Sequence, residues 1–170
     1  MTNASPAPII LAFRSGVTAM GIDASAALSD PGVRLAVSAA AEIAPEEIAG
    51  EEVAFESVRF EGEVRGSPDS ARVEGTLRCE ARARCALCLG EASLPIEARI
   101  DEVFSRDAKG TDAYPLDGDV IEPVEMFREA LILALPMRFL CKDDCLGLCP
   151  KCGSNRNEGE CACPRGDEPD

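Results

Sequence analysis

The chain has 170 residues, and its 17 Lys and Arg against 31 Asp and Glu give a formal charge of −14 at pH 7. That length suits one domain with a small appended module, and 46% hydrophobic but only 4% aromatic residues, with no Trp, call for a core of Ala, Val, Leu and Ile. His is absent, which excludes Ser/His/Asp and Cys/His triads, His-ligated metals and histidine pH switches, and the acidic balance excludes coating of phosphate backbones by bulk positive charge.

Residues 1–8 (MTNASPAP) read as a disordered tail. They lack the charged start of a secretory signal, and the apolar run at 9–13 is too short to be its core. The longest apolar run, 130–137, contains Pro136 and falls short of the roughly 20 residues that span a bilayer. A soluble, cytoplasmic protein with no membrane partner is expected. Residues 9–136 form a β-rich body in this reading, beginning with a short strand at 33–37 and a polar connection at 45–52. From Val58 the apolar residues Val58, Phe60 and Val64 alternate with Arg59, Glu61, Glu63 and Arg65, a period of two that marks a half-buried strand. Residues 66–70 (GSPDS) carry turn chemistry. Residues 71–85 alternate over their full length, and after a tight corner at 85–90 residues 92–100 alternate again, so an antiparallel meander of at least three strands is predicted.

A loop follows at 110–118. Pro123 and the acidic Asp119, Glu122 and Glu125 then open a helix over about 122–135, which Pro136 stops. Val124, Phe127, Leu131 and Leu135 form its apolar stripe, widened by Ile132 and Leu133, so it is expected to lie as a lid on the sheet. Residues 137–165 are a Cys-rich module and 166–170 a second tail. The fold class is α+β: an antiparallel β-sheet meander with one main helix and a C-terminal Cys-rich zinc module.

Nine cysteines, at 79, 85, 88, 141, 145, 149, 152, 161 and 163, are the main departure from an average composition. In a reducing compartment such short paired spacings read as metal ligands. Cys149-Pro-Lys-Cys152-Gly153 is a zinc knuckle: two sulfurs three positions apart grip one ion, and Gly153 permits the φ > 0 turn that brings backbone N–H groups to the thiolates. Two further sulfurs must come from Cys161/Cys163 or Cys141/Cys145. The first choice is Cys149, Cys152, Cys161 and Cys163, because an extended Cys-X-Cys puts both thiols on one face; an iron–sulfur cluster, disulfides or free thiols are the alternatives. Cys85 and Cys88 sit at the hairpin corner. Together with Cys141 and Cys145 they would make a second four-sulfur site and leave Cys79 as a small core residue; unliganded thiols compete with that scheme. A redox pair would be expected at a helix N-terminus, whereas the flanks here are strands.

No phosphate-binding glycine loop, His base or paired-carboxylate motif is present, and a four-thiolate site leaves no open coordination position for water, so catalysis is not expected. The polar face of residues 72–84 carries Arg72, Arg78, Arg82 and Arg84 against Glu74 and Glu80, an excess of two positive charges. Arg78, Arg82 and Arg84 are the candidate nucleic-acid contacts.

The run at 135–163 (LPMRFLCKDDCLGLCPKCGSNRNEGECAC) resembles the C-terminal signature of the YceD family, a bacterial and plastid domain formerly of unknown function. Residues 75–89 (GTLRCEARARCALCL), the strand ending in Glu102-Val103-Phe104, and the helix at 124–135 with its following Pro are similar to the same family, so the resemblance covers roughly residues 53–164. It implies a role in accumulation of large-subunit ribosomal RNA, with that RNA or its precursor particles as partner, a ribosomal protein or assembly factor as a further partner, and no known enzymatic activity. Leu87 stands where the family often has a basic residue, and residues 1–50 match nothing in it. Because some relatives lack the cysteine tail, Zn²⁺ is expected to stabilise the fold rather than define the function. The expected function is that of a non-catalytic ribosome-biogenesis factor; the rivals are a zinc-stabilised protein–protein adaptor that does not contact RNA and a thiol oxidoreductase using Cys85 and Cys88.

Overall fold

Alternating apolar and polar residues become a long-stranded sheet in the computed structural model, which describes residues 21–159, 161 and 163. The elements run β1 (Ile22–Asp23), α1 (Ser25–Ser29), β2 (Arg34–Ile48), β3 (Glu51–Ser67), β4 (Ser70–Arg84), β5 (Glu91–Ser105), β6 (Tyr114–Pro115), β7 (Val120–Ile121) and α2 (Val124–Ala134). Strands β2 to β5 pair antiparallel in chain order, β6 adds two parallel residues at the end of β5, and β1 pairs separately with β7. The structure is therefore the expected antiparallel meander with one main helix and a C-terminal cysteine cluster. The tails expected at 1–8 and 166–170 lie outside the described residues.

One expectation fails at the first hairpin. The short strand at 33–37 and the polar connection at 45–52 are instead a 15-residue β2 and the start of β3, joined by a tight turn at Ala49 (φ 53) and Gly50 (φ 83). Two successive positive φ values give the turn whose twist matches an antiparallel hairpin. β2 is an edge strand whose small and acidic residues give no strong period-two signal. Its Pro45 falls within a register shift, and Pro95 sits in β5 opposite Glu80, away from the two residues that pair with β6, so that side of the strand has no partner there among the described residues.

A second irregularity keeps the core continuous. In β3, Val53 and Phe55 are buried at odd positions but Val58, Phe60 and Val64 at even ones. Ser57, at φ 54, lies within a one-residue register shift between Glu56 and Arg59, and this bulge turns both sets to the same face.

Helix α2 touches both β5 and β2, so the sheet bends around it. Met126, Phe127 and Leu131 are its buried residues, and the Phe127 ring lies 5.2 Å from that of Phe60 in β3. The predicted stripe holds at Phe127 and Leu131. Leu133 does not belong to it: this side chain is 86% exposed at the rim of a cleft between α2 and β5, where Met126, two turns earlier on nearly the same side, reaches the core. The predicted loop at 110–118 contains β6, anchored by Tyr114 stacked 5.2 Å from Phe104 and by its hydroxyl bonded to Glu129 of α2. No helix among the described residues is long and apolar enough to cross a membrane.

Candidate metal centre

The β4–β5 corner and the chain after α2 meet at one end of the sheet. Ala86 N–H donates to Phe139 O at 2.8 Å, and Leu148 N–H donates to Leu87 O at 3.0 Å. These bonds bring Cys141 and Cys145 over Cys85 and Cys88, and the four sulfurs lie within 4.8 Å of one another. Cys149, Cys152, Cys161 and Cys163 form a second set within the same limit. Cys79 belongs to neither; it packs in the core, and burial pushes its thiol up to about 11.

The corner site has the dimensions of a coordination shell. Cys85 Sγ stands 3.8 Å from Cys145 Sγ, and Cys88 Sγ 3.6 Å from Cys141 Sγ. Four sulfurs each about 2.3 Å from a central ion would stand about 3.8 Å apart along the edges of a tetrahedron. Cys85, Cys88 and Cys145 are buried while Cys141 is exposed, so the site is closed by protein on most sides.

The two knuckles share one backbone design. Cys85 N–H donates to Gly90 O at 2.7 Å and Leu89 N–H to Cys85 O at 2.9 Å; in the second knuckle Cys149 N–H donates to Ser154 O at 2.8 Å and Gly153 N–H to Cys149 O at 2.8 Å. In each, the residue after the second cysteine has positive φ, 59 at Leu89 and 74 at Gly153. This turn aims backbone N–H groups at the sulfurs. At Cys85 burial opposes ionisation, but the N–H groups of Cys88, Cys141 and Leu87 outweigh it and hold the thiol at about 6. At Cys152 the Ser154 hydroxyl and N–H, with the neighbouring thiols, bring it to about 6. The last thiols to ionise bear the repulsion: Cys141, though its residue is exposed, is pushed up to about 12 by desolvation of its sulfur among the others and by Cys145, Cys88 and Cys85, and Cys163 to about 12 by Cys152, desolvation and Cys149. Four thiols this close cannot all ionise without a cation among them, and a divalent ion removes that repulsion. The donor set, spacing and electrostatics thus fit a metal ion at each site.

A family model described as Large ribosomal RNA subunit accumulation protein YceD matches residues 73–170. The chain belongs to the YceD family. The matched region takes in β4 from Val73 onward, β5, α2 and all nine cysteines, which places both four-thiol sets inside the YceD domain. An uncharacterized protein of Mycobacterium bovis and two of Mycobacterium tuberculosis are each 28% identical to this chain over 97 residues, covering 53% of it and 47% of their own length. The chain therefore spans about half the length of the curated relatives it matches. No solved structure matches it.

The arginines singled out from the sequence lie on the exposed face of this YceD sheet, leading to the corner. Each faces carboxylates on adjacent strands: Arg78 meets Glu97 at 2.8 Å, Arg82 meets Glu56 and Glu91 at 3.2 Å, and Arg84 meets Glu51 at 2.8 Å. The excess charge counted along one strand is thus met by acidic residues of its neighbours. Sequence reasoning also passed over Asn155 and Asn157, which hold the loop between the knuckle and the last two cysteines. The signal was the Asn-X-Asn spacing between two cysteine pairs, polar residues placed where a sulfur needs donors.

Proposed function

We propose that this protein is a non-catalytic ribosome-biogenesis factor that supports accumulation or maturation of large-subunit (23S-type) ribosomal RNA in the cytoplasm, stabilised by zinc at both four-cysteine sites. The match to the YceD family over residues 73–170 carries this reading. Zinc is favoured because an all-thiolate tetrahedral set is its usual structural site, and sulfurs 3.6–3.8 Å apart close around one ion more tightly than around a cluster of several irons. A site filled by four protein ligands keeps no position for substrate, which supports a structural role.

In this proposal the metals fix the β4–β5 corner and residues 141–163 as one rigid surface, and Arg78, Arg82 and Arg84 provide a localised RNA contact beside it. Each guanidinium must exchange a carboxylate for a phosphate, so the contact is modest and salt-sensitive. The test measures binding of a large-subunit rRNA fragment by the purified, metal-loaded protein across a salt series. The Arg78→Gln, Arg82→Gln, Arg84→Gln variant is expected to bind more weakly with a shallower salt dependence; unchanged binding removes these arginines from the account. In cells lacking the protein the large-subunit rRNA should fall relative to the small-subunit rRNA, and an unchanged ratio overturns the function.

A second reading, the protein–protein adaptor, draws on one observation. Leu87, Leu89 and Leu146 are exposed around the corner site. Three leucines on a chain of charge −14 suit a basic partner with an apolar anchor, such as a ribosomal protein or assembly factor. Association that survives nuclease treatment and is lost in Leu89→Ser, Leu146→Ser would favour it over direct RNA contact. Rapid disulfide exchange at Cys85 and Cys88 would instead favour a thiol oxidoreductase.

A further inference from the structure

The loop between the second knuckle and the last two cysteines does more than connect ligands. Asn157 lies five residues after Cys152 and four before Cys161, yet its side chain reaches the other site. Its Nδ2 donates to Cys145 Sγ at 3.3 Å, and its Oδ1 accepts the N–H of Leu146 at 3.0 Å. One amide therefore clamps two successive residues at the corner site and fixes the direction of a ligand sulfur. The amide is itself held: Asn155 Oδ1 accepts from Asn157 Nδ2 at 2.8 Å and from its backbone N–H at 3.1 Å, while Asn155 Nδ2 donates to Glu158 at 2.8 Å. The backbone repeats the connection, since Arg156 N–H donates to Gly147 O at 2.9 Å and Leu148 bridges Asn155.

We infer that Asn157 is a positioning residue that couples the two four-thiol sites: closure of Cys149, Cys152, Cys161 and Cys163 around a metal sets the 153–159 loop, and the loop then locks Cys145 in the corner site. This rests on the metal reading proposed above. Free in solution, an eight-residue segment between Cys152 and Cys161 would sample many conformations, and its amide would spend little time on Cys145. Tied at both ends by ligands to one ion, it meets the corner site already ordered. Binding at one site thereby strengthens binding at the other, and the effect is reciprocal because coupling free energy belongs to the pair. Loss of a hydrogen bond to a ligand typically lowers metal affinity about 10–100-fold.

The experiment titrates the full chain with Co²⁺ and with Zn²⁺, follows the sulfur-to-cobalt absorption, and counts bound ions by native mass spectrometry while a chromophoric chelator competes. The unaltered chain should bind two ions. Asn157→Ala should still bind two, with the corner ion released about 10–100-fold faster. Cys161→Ser, Cys163→Ser removes the second site and should weaken the corner ion to a similar degree; adding Asn157→Ala to it should change little, because the loop is already unfastened. Asn157→Asp keeps the acceptor for Leu146 but loses the donor to Cys145, and should weaken the corner ion while the sheet's circular dichroism is unchanged. A corner ion released at the same rate in all variants, or fully additive effects of the loop and ligand changes, overturn the coupling. Failure of the unaltered chain to bind either metal overturns the metal reading itself.

Discussion

Leu89 holds a backbone conformation that the second knuckle gives to glycine. Its φ of 59 corresponds to 74 at Gly153, with the same pair of backbone hydrogen bonds on either side. A side chain in this left-handed region costs about 1–2 kcal/mol through the clash of Cβ with the following carbonyl. Leu89 is also 57% exposed, so burial recovers little of that strain. Strain of this kind persists where the side chain itself is needed, which agrees with the leucine cap in the adaptor reading. Leu89→Gly should relieve the clash, partly offset by the greater freedom glycine has when unfolded. The expected net gain is about 0.5–1 kcal/mol in the denaturant unfolding of the metal-loaded protein. The mirror change, Gly153→Leu, should destabilise its knuckle by about 1–2 kcal/mol in the same measurement. Equal and negligible shifts would mean that neither turn depends on glycine chemistry.

At the scale of the elements, α2 is joined to the sheet through one aromatic contact over a pair of glycines. Gly62 and Gly75 face each other across β3 and β4, and a Cβ on Gly75 would lie 2.6 Å from the Phe60 ring and 2.7 Å from Gly62 Cα. The ring thus fills the space the two missing side chains leave, and Phe127 of α2 packs on it at 5.2 Å. Phe127→Ala would open a cavity at the centre of this stack, and a loss of about 3–5 kcal/mol is expected in denaturant melts; a loss below about 1 kcal/mol would show that α2 is not fastened there. Much of this arrangement was legible in the sequence because β4, β5 and the part of β3 after its bulge alternate between a buried and an exposed face. The same reasoning missed β2, whose small outer residues Ala36, Ser38 and Ala40 and exposed Glu47 do not contrast enough to show a period. It began β3 at Val58 because the Ser57 bulge breaks the alternation between Phe55 and Val58. The site shows the same division: counting cysteines suggested two groups of four, since ligand spacing is local. The carboxylates opposing Arg78, Arg82 and Arg84, and the reach of Asn157 to Cys145, depend on which strands and loops become neighbours, and no local pattern reveals that.

In the whole molecule two kinds of charge contact respond to acid at different pH. Thiolate ligands bind metal only when deprotonated, so protons compete with the ion and metal affinity falls as pH drops from neutral. The exposed carboxylates hold on longer. The Arg72 guanidinium bonds both oxygens of Asp101 at 2.8 Å and keeps that carboxyl below its ordinary 3.8, and Arg128, bonded to both oxygens of Glu125, keeps that carboxyl below its ordinary 4.5. A carboxyl whose folded pKa is lowered adds stability above its unfolded value, and that stability is lost only as pH falls through the lowered one. Cys85, Cys88 and Cys145 of the corner set join the buried core at its end, but the large side chains that fill its centre, such as Phe60, Leu77, Ile100, Phe104 and Phe127, belong to neither four-thiol set. Acidification should therefore proceed in two steps. Metal leaves first and residues 141–163 loosen, with β2–β5 and α2 intact; the sheet melts later, below about pH 4, as pairs such as Arg72–Asp101 are protonated. Metal released from protein loaded with Zn²⁺, measured with a chromophoric dye, and the β-sheet circular dichroism should then show separate midpoints, and a chelator at pH 7 should reproduce the first step alone. A single shared midpoint would mean that the metal sites hold the whole sheet together, which would make the β4–β5 corner the keystone of the fold rather than a platform mounted on it.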